Sequence, residues 1–180
     1  MNKRFRTAAL FMAVLMTVTT SAVAVTGGYG SSAVEENRTY HLNEMLPYAI
    51  EDEYLARARY TVDIEKFGAQ RPFSNILEAE NMHIMLLKPL FEKYGAAVPE
   101  DTARQYITVH DSLLAAMKAG VEGERNNMRM YDLFLKQALP DDVRSVFTLL
   151  RNAAERHLNA FLRNVERLES PFPGRNRQQP

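Results

Sequence analysis

The chain is 180 residues long, with 22 Lys plus Arg balanced by 22 Asp plus Glu, and 46% of its residues are hydrophobic. That balance argues against a nucleic-acid partner, whose phosphates call for a basic face, and the apolar share is that of a folded domain. Cysteine is absent, which excludes a disulfide framework and a lipid-modified cysteine anchor and leaves packing as the source of stability.

Residues 1–24 read as a secretory signal peptide. Lys3, Arg4 and Arg6 precede an apolar run from about Ala8 to Val18, and Ala22-Val23-Ala24 has the small-x-small form at which such leaders are cut. The run is shorter than the roughly 20 apolar residues of a membrane span, so no stable span is expected in the mature form. Cleavage removes three basic residues and leaves 19 against 22 acidic ones, a formal charge of −3. The mature chain is expected to be secreted or to reside outside the cytoplasm, in a periplasm or cell envelope.

Residues 25–40 hold Thr26-Gly27-Gly28-Tyr29-Gly30-Ser31-Ser32 and then mixed polar residues. Such a stretch offers little apolar surface to offset its ordering entropy and predicts a flexible linker. Residues 170–180, with Pro171, Pro173, Gly174 and Pro180, predict a disordered tail. Between them, residues 41–169 are rich in Ala, Leu, Glu, Arg and Met and lack any period-two run of β-branched residues, so this domain is predicted to be all-α.

Four helices fit the apolar spacing. The first spans about Asn43 to Phe67, with Leu46, Ile50, Tyr60, Ile64 and Phe67 on one stripe and Gly68 as its stop. The second spans about Pro72 to Tyr94, with Phe73, Ile76, Leu87, Leu90 and Tyr94 in line, and Pro89 predicts a kink in it. The third spans about Asp111 to Ala138 with Asp111 as N-cap, and the fourth about Asp141 to Leu168 after Pro140. Short joints at Gly68–Arg71 and Leu139-Pro140 make helices one and two, and three and four, antiparallel neighbours. The stretch from Gly95 to His110 can reach roughly 50 Å at about 3.3 Å per residue, and a 22-residue helix is only about 33 Å long. It can therefore cross the whole bundle and give an up-down-down-up order; an up-down bundle with a loose loop is the other option.

Polar groups interrupt all four apolar stripes near mid-helix. Glu53 lies between Ile50 and Tyr60, Glu80 and His83 between Ile76 and Leu87, Glu124 between Val121 and Met128, and His157 between Leu150 and Phe161. Buried charges are costly unless they meet one another or a cation, so five such groups at similar depth point to a metal site. Glu80 and His83 lie about 60° apart around a helix axis and can face one ion together. Each residue also has an ordinary reading: Glu53 paired with Arg57 one turn on, Glu124 with Arg125 or Arg129, and His157 as a neutral core histidine. Met82, Met85, Met128 and Met130 read as gap-filling core or helix-contact residues.

Glu53-Tyr54-Leu55-Ala56-Arg57-Ala58-Arg59-Tyr60 resembles the first-helix motif of rubrerythrins, and the stretch Phe73 to His83, ending Glu80-Asn81-Met82-His83, resembles their second. With Leu90-Phe91-Glu92-Lys93-Tyr94-Gly95 and His157-Leu158-Asn159-Ala160-Phe161, the chain is similar over about His41 to Arg167 to a little-characterised group of exported bacterial ferritin-like proteins. The resemblance implies a ferritin-like four-helix bundle with a long crossover between helices 2 and 3. It also implies a metal site of Glu53, Glu80, His83, Glu124 and His157 for one or two ions of iron or manganese, with oxygen or peroxide as reactants. Ferroxidase- or peroxidase-like activity is the enzymatic form of that reading. Two positions depart from the pattern: Ala154 stands where the fourth helix would supply a further Glu, and Asn127 where rubrerythrins have one. Three carboxylates and two imidazoles remain, which would leave two divalent ions with a charge of +1 and one ion with −1. Arg57, Tyr60, Asn127 and Tyr131 are spaced to orient the ligands or to serve as structural polar packing. The alternative is a structural or binding module with a degenerate site, and the sequence leaves a homo-oligomer open.

Overall fold

The computed structural model describes residues 28–170; the expected leader and the tail beyond Ser170 lie outside them. Four helices form, α1 Leu42–Phe67, α2 Phe73–Tyr94, α3 Leu113–Phe134 and α4 Asp141–Glu169, with no strand among the described residues. Their ends follow local chemistry. The Glu44 carboxylate accepts from the His41 backbone N–H at 3.0 Å at the start of α1, and Gly68 at φ +84 closes it. Gly95 takes the left-handed conformation after α2, where the Ala96 N–H bonds back to the Phe91 carbonyl. No helix among the described residues is long and apolar enough to cross a membrane.

Two boundaries shift from the sequence expectation. Ser112, rather than Asp111, caps α3, its hydroxyl accepting from the Ala115 N–H at 3.2 Å. The far end of α3 comes early, at Phe134, because the Arg144 guanidinium of α4 binds the carbonyls of Leu135 and Gln137 at 2.8 and 3.1 Å and draws the chain into the turn. α2 runs through Pro89 as one helix.

Residue pairs set the order of the bundle. Glu53 meets His83 while Tyr60 lies by Phe73, so α1 and α2 are antiparallel. Glu53 meets Tyr131 while Tyr60 meets Glu124, so α1 and α3 are antiparallel too. Arg151 pairs with Asp132 and Lys118 with Glu169, which makes α3 and α4 antiparallel. The order is up-down-down-up, and residues 95–112 carry the chain from end to end with one 3-10 turn at Ala103–Tyr106. This single crossover is the arrangement of ferritin-like bundles.

Apolar packing falls into two blocks. One, toward the start of α1, holds Met45, Leu46, Ile50, Leu87, Phe91, Phe134 and Phe147; the other holds Tyr60, Phe73, Ile76, Met117, Val121 and Phe161. Each fully buried Leu or Phe contributes about 1.5–3 kcal/mol, so the two blocks can offset an expensive polar layer between them. Gly120 belongs to the second block: a Cβ there would come within 2.7 Å of the Phe161 ring, so its bare backbone lets α3 and α4 approach. Met82 and Met85 do not fill the core as expected; they are 54% and 63% exposed on the outer face of α2.

Residues 28–40 correct the flexible-linker expectation. A 3-10 turn, Gly30–Ala33, lies on α1, with the Ser31 N–H donating to Asp52 Oδ1 at 2.8 Å. Tyr29 and Tyr40 are buried, and Tyr29 stacks on Tyr106 of the crossover at 4.4 Å. Gly30 sits at φ +59 directly over the Asp52 backbone, where a Cβ would approach within 2.8 Å. Two aromatic rings and a buried acceptor supply the binding energy that a composition count overlooks.

Candidate metal centre

Between the apolar blocks, the four helices bring together all five side chains singled out in the sequence. Glu53 of α1, Glu80 and His83 of α2 and Glu124 of α3 are 1–7% exposed, and the side chain of His157 of α4 is 12% exposed. The helical period puts Glu80 and His83 on the inner face of α2, flanked by Ile76 and Leu87.

Glu80 is the hub. Its Oε2 lies 2.7 Å from His83 Nδ1, and its Oε1 lies 3.2 Å from His157 Nδ1. Each imidazole meets a second carboxylate as well: Glu53 Oε2 at 3.0 Å from His83 Nδ1, and Glu124 Oε1 at 3.6 Å from His157 Nδ1. The two rings are stacked with centroids 5.7 Å apart. Two clusters result, Glu53-Glu80-His83 and Glu80-Glu124-His157, and in each the donor atoms lie within 4.8 Å of one another. Hard carboxylates with imidazole suit iron, manganese or zinc. His157 Nδ1 is buried without a hydrogen-bond partner among the described residues, although two carboxylate oxygens lie 3.2 and 3.6 Å from it. These groups could hold a metal ion.

Electrostatics accord with that capacity. Burial would lower the histidine pKa values, but Glu53 and Glu80 outweigh it and push His83 up to about 10, and Glu124 and Glu80 push His157 up to about 9. Burial, and then Glu80, raise Glu53; burial also raises Glu124. Burial works the same way on Glu80, yet the His157 and His83 imidazoles overcome it and hold its carboxyl below the ordinary range. Without metal, two imidazolium ions therefore offset most of the charge of the three glutamates.

A surrounding set of donors fixes the carboxylates. The Tyr60 hydroxyl donates to Glu124 Oε1 at 2.6 Å and the Tyr131 hydroxyl to Glu53 Oε1 at 2.8 Å. Burial and the adjacent carboxylates raise both phenols well above their ordinary value, so they stay protonated as donors. Asn127 Nδ2 donates to Glu53 Oε1 at 3.3 Å and to Asp52 Oδ2 at 2.8 Å. Three of the four expected orienting residues thus reach the site. Arg57 does not: it turns outward to Asp101 and lies over the Tyr54 ring, which also removes the Glu53–Arg57 pair. Arg125 pairs with Glu122, and Arg129 reaches Asn126 and Glu36, so neither neutralises Glu124.

Asp52 went unnoticed in the sequence. It is 6% exposed and linked to Glu53 through Asn127; burial, partly offset by Ser31, raises its pKa to about 6. Its position, one residue from Glu53 and about 100° around the helix, reads as solvated until the Gly30–Ala33 turn covers it. Tyr29 within the Gly-Ser run and Tyr40 beyond it, two large rings in an otherwise polar stretch, were the available signal. On α4, Ala154 is buried and Glu155 turns outward to Arg151 at 2.6 Å, so no carboxylate replaces the missing one there.

No family model matches the sequence, and no curated protein matches it significantly. Among solved structures, the fold is similar to the crystal structure of a hypothetical protein from Methanococcus jannaschii DSM 2661, with a TM-score of 0.65 and 22% identity over 78% of this chain and 89% of that one. At that identity the likeness extends to the fold alone.

Proposed function

We propose that the chain is an exported, rubrerythrin-related ferritin-like protein that binds iron or manganese between its helices and uses it in redox chemistry with oxygen or peroxide. One observation carries the reading: the Glu80 carboxylate, 2% exposed, divides its oxygens between two imidazoles that each face a further glutamate. Unpaired polar groups are expensive in such an interior, and a shared carboxylate between two donor sets suits two ions. Three glutamates leave two divalent ions with a charge of +1, which ionised Asp52, joined through Asn127, brings to zero.

When bound, iron or manganese supplies one-electron exchange with oxygen or peroxide. The chain's own contribution is positional. Tyr60, Tyr131 and Asn127 hold Glu124 and Glu53 in place, and the two apolar blocks restrict water above and below. Export rests on the Lys3-to-Ala24 leader pattern.

The test is anaerobic loading of the mature protein with ferrous ion beside a Glu80→Ala, His83→Ala variant, with protein-bound iron measured after desalting. One to two ions per chain are expected in the parent and almost none in the variant; equal, near-zero binding by both would overturn the metal reading in favour of a structural module. Oxygen uptake on admitting air then separates a redox protein from a passive binder.

A further inference from the structure

Two cavities reach the buried cluster, and their linings have opposite character. The first, about 440 Å³, lies between α1 and α3 and is walled by the Gly30–Ala33 turn and the crossover. Glu80 and Glu124 line it, together with Asp52 and with Glu122, which Arg125 pairs from outside, and Arg59 is the single cation among the lining residues. The second, about 340 Å³, lies between α2 and α4 and touches the site at His157; Arg71 and Arg163 line it, with no carboxylate.

The geometry points to the α1/α3 cavity as a loading chamber in which a hydrated divalent cation is bound before it passes to Glu80 and Glu124; this rests on the metal reading above. The sign of the walls decides between the openings. A dication gains from a surface bearing four carboxylates and is repelled by one bearing two guanidinium groups, and low-dielectric walls strengthen both effects. A further acceptor lines the same chamber: Asn127 Oδ1 is buried with no hydrogen-bond partner among the described residues. Asn127 as a whole is 7% exposed, so its free amide oxygen is an interior ligand for an aquo cation on the way to the glutamates. The chamber volume is more than ten times the roughly 30 Å³ of one water, enough for an ion that still carries several waters.

Gly123 makes the chamber testable. It lines the cavity, and a Cβ built there meets nothing within 4 Å. A side chain at this helical position therefore starts in open space beside the chamber, unlike one at Gly120, whose Cβ would meet the Phe161 ring. Ala160 lines the other cavity and serves as control.

The experiment mixes metal-free mature protein with Mn²⁺ in a stopped-flow fluorimeter and follows tyrosine emission, since the chain has eight Tyr and no Trp. Gly123→Leu is expected to slow Mn²⁺ entry at least tenfold with the same final stoichiometry, while Ala160→Leu stays within twofold of the parent. The parent rate is expected to fall as salt screens the carboxylates. Ala119→Leu, on the same wall, repeats the block should Gly123→Leu fail to fold. Normal entry through both wall variants, or equal slowing by Ala160→Leu, would overturn the chamber while leaving the metal site intact. Absence of Mn²⁺ binding in the parent under anaerobic and ferrous conditions alike would overturn the metal reading itself, and the chamber with it.

Discussion

The two halves of the centre are built differently. Glu53, Glu80 and His83 all belong to the α1–α2 hairpin, within 31 residues of one another, and His83 Nδ1 has close contacts to both carboxylates. Glu80, Glu124 and His157 come from three helices, span 78 residues, and leave His157 Nδ1 without a hydrogen bond. One half is local and satisfied by its own ion pairs; the other exists only once the hairpins dock, and it lacks a carboxylate at Ala154. An ion is thus expected to be held first and more tightly by the local half, with the second acting as a tie between hairpins.

The largest effect that sharpens this contrast is pH. An imidazole must be neutral to bind metal, and His83 and His157 are pushed up to about 10 and about 9, so below pH 9 each ion must displace a proton. Loading both halves at pH 7.5 should release about two protons, and overall affinity should drop roughly a hundredfold per unit of acidification; calorimetry in buffers of different ionisation enthalpy measures the count. The sign reverses for the metal-free fold. Raised histidine pKa values give it stability that is fully present below about pH 6.5 and lost as pH rises through 9 to 10, so metal should protect most at the alkaline end, as thermal melts with and without Mn²⁺ would reveal.

Next in size is Ala154→Glu, which adds a carboxylate to the deficient half. Affinity for the second ion should rise about tenfold, in line with the leverage of groups around metal sites, while the metal-free protein loses roughly 1–3 kcal/mol to overpacking. A titration in which only the first ion tightens would refute the assignment of the halves. Smaller still, Tyr131→Phe should weaken the first ion and Tyr60→Phe the second, each several-fold, because each phenol donates to one terminal glutamate. Competition between Mn²⁺ and a calibrated chelator resolves both constants, and an effect on the opposite ion would break the comparison.

Much of this was legible from spacing. The five ligand candidates interrupt strong apolar stripes, and helical periodicity alone puts them, with Tyr60, Asn127 and Tyr131, on inward faces. What stayed hidden depends on contacts between distant segments. Asp52 is buried because residues 28–34 fold back onto α1; Arg57 turns to Asp101 in the crossover; Met82 and Met85 look like core until α2 is seen to pack on one side only. Local pattern foretells which face turns inward, but not which remote strand of chain will cover the other.

The Gly30–Ala33 turn also has a practical consequence. From Ser31, three hydrogen bonds run through Asp52 and Asn127 to the Glu53 carboxylate. Affinity handles or reporters attached just ahead of Gly28 are expected to disturb that relay and lower metal retention, as loading assays with and without the addition would reveal.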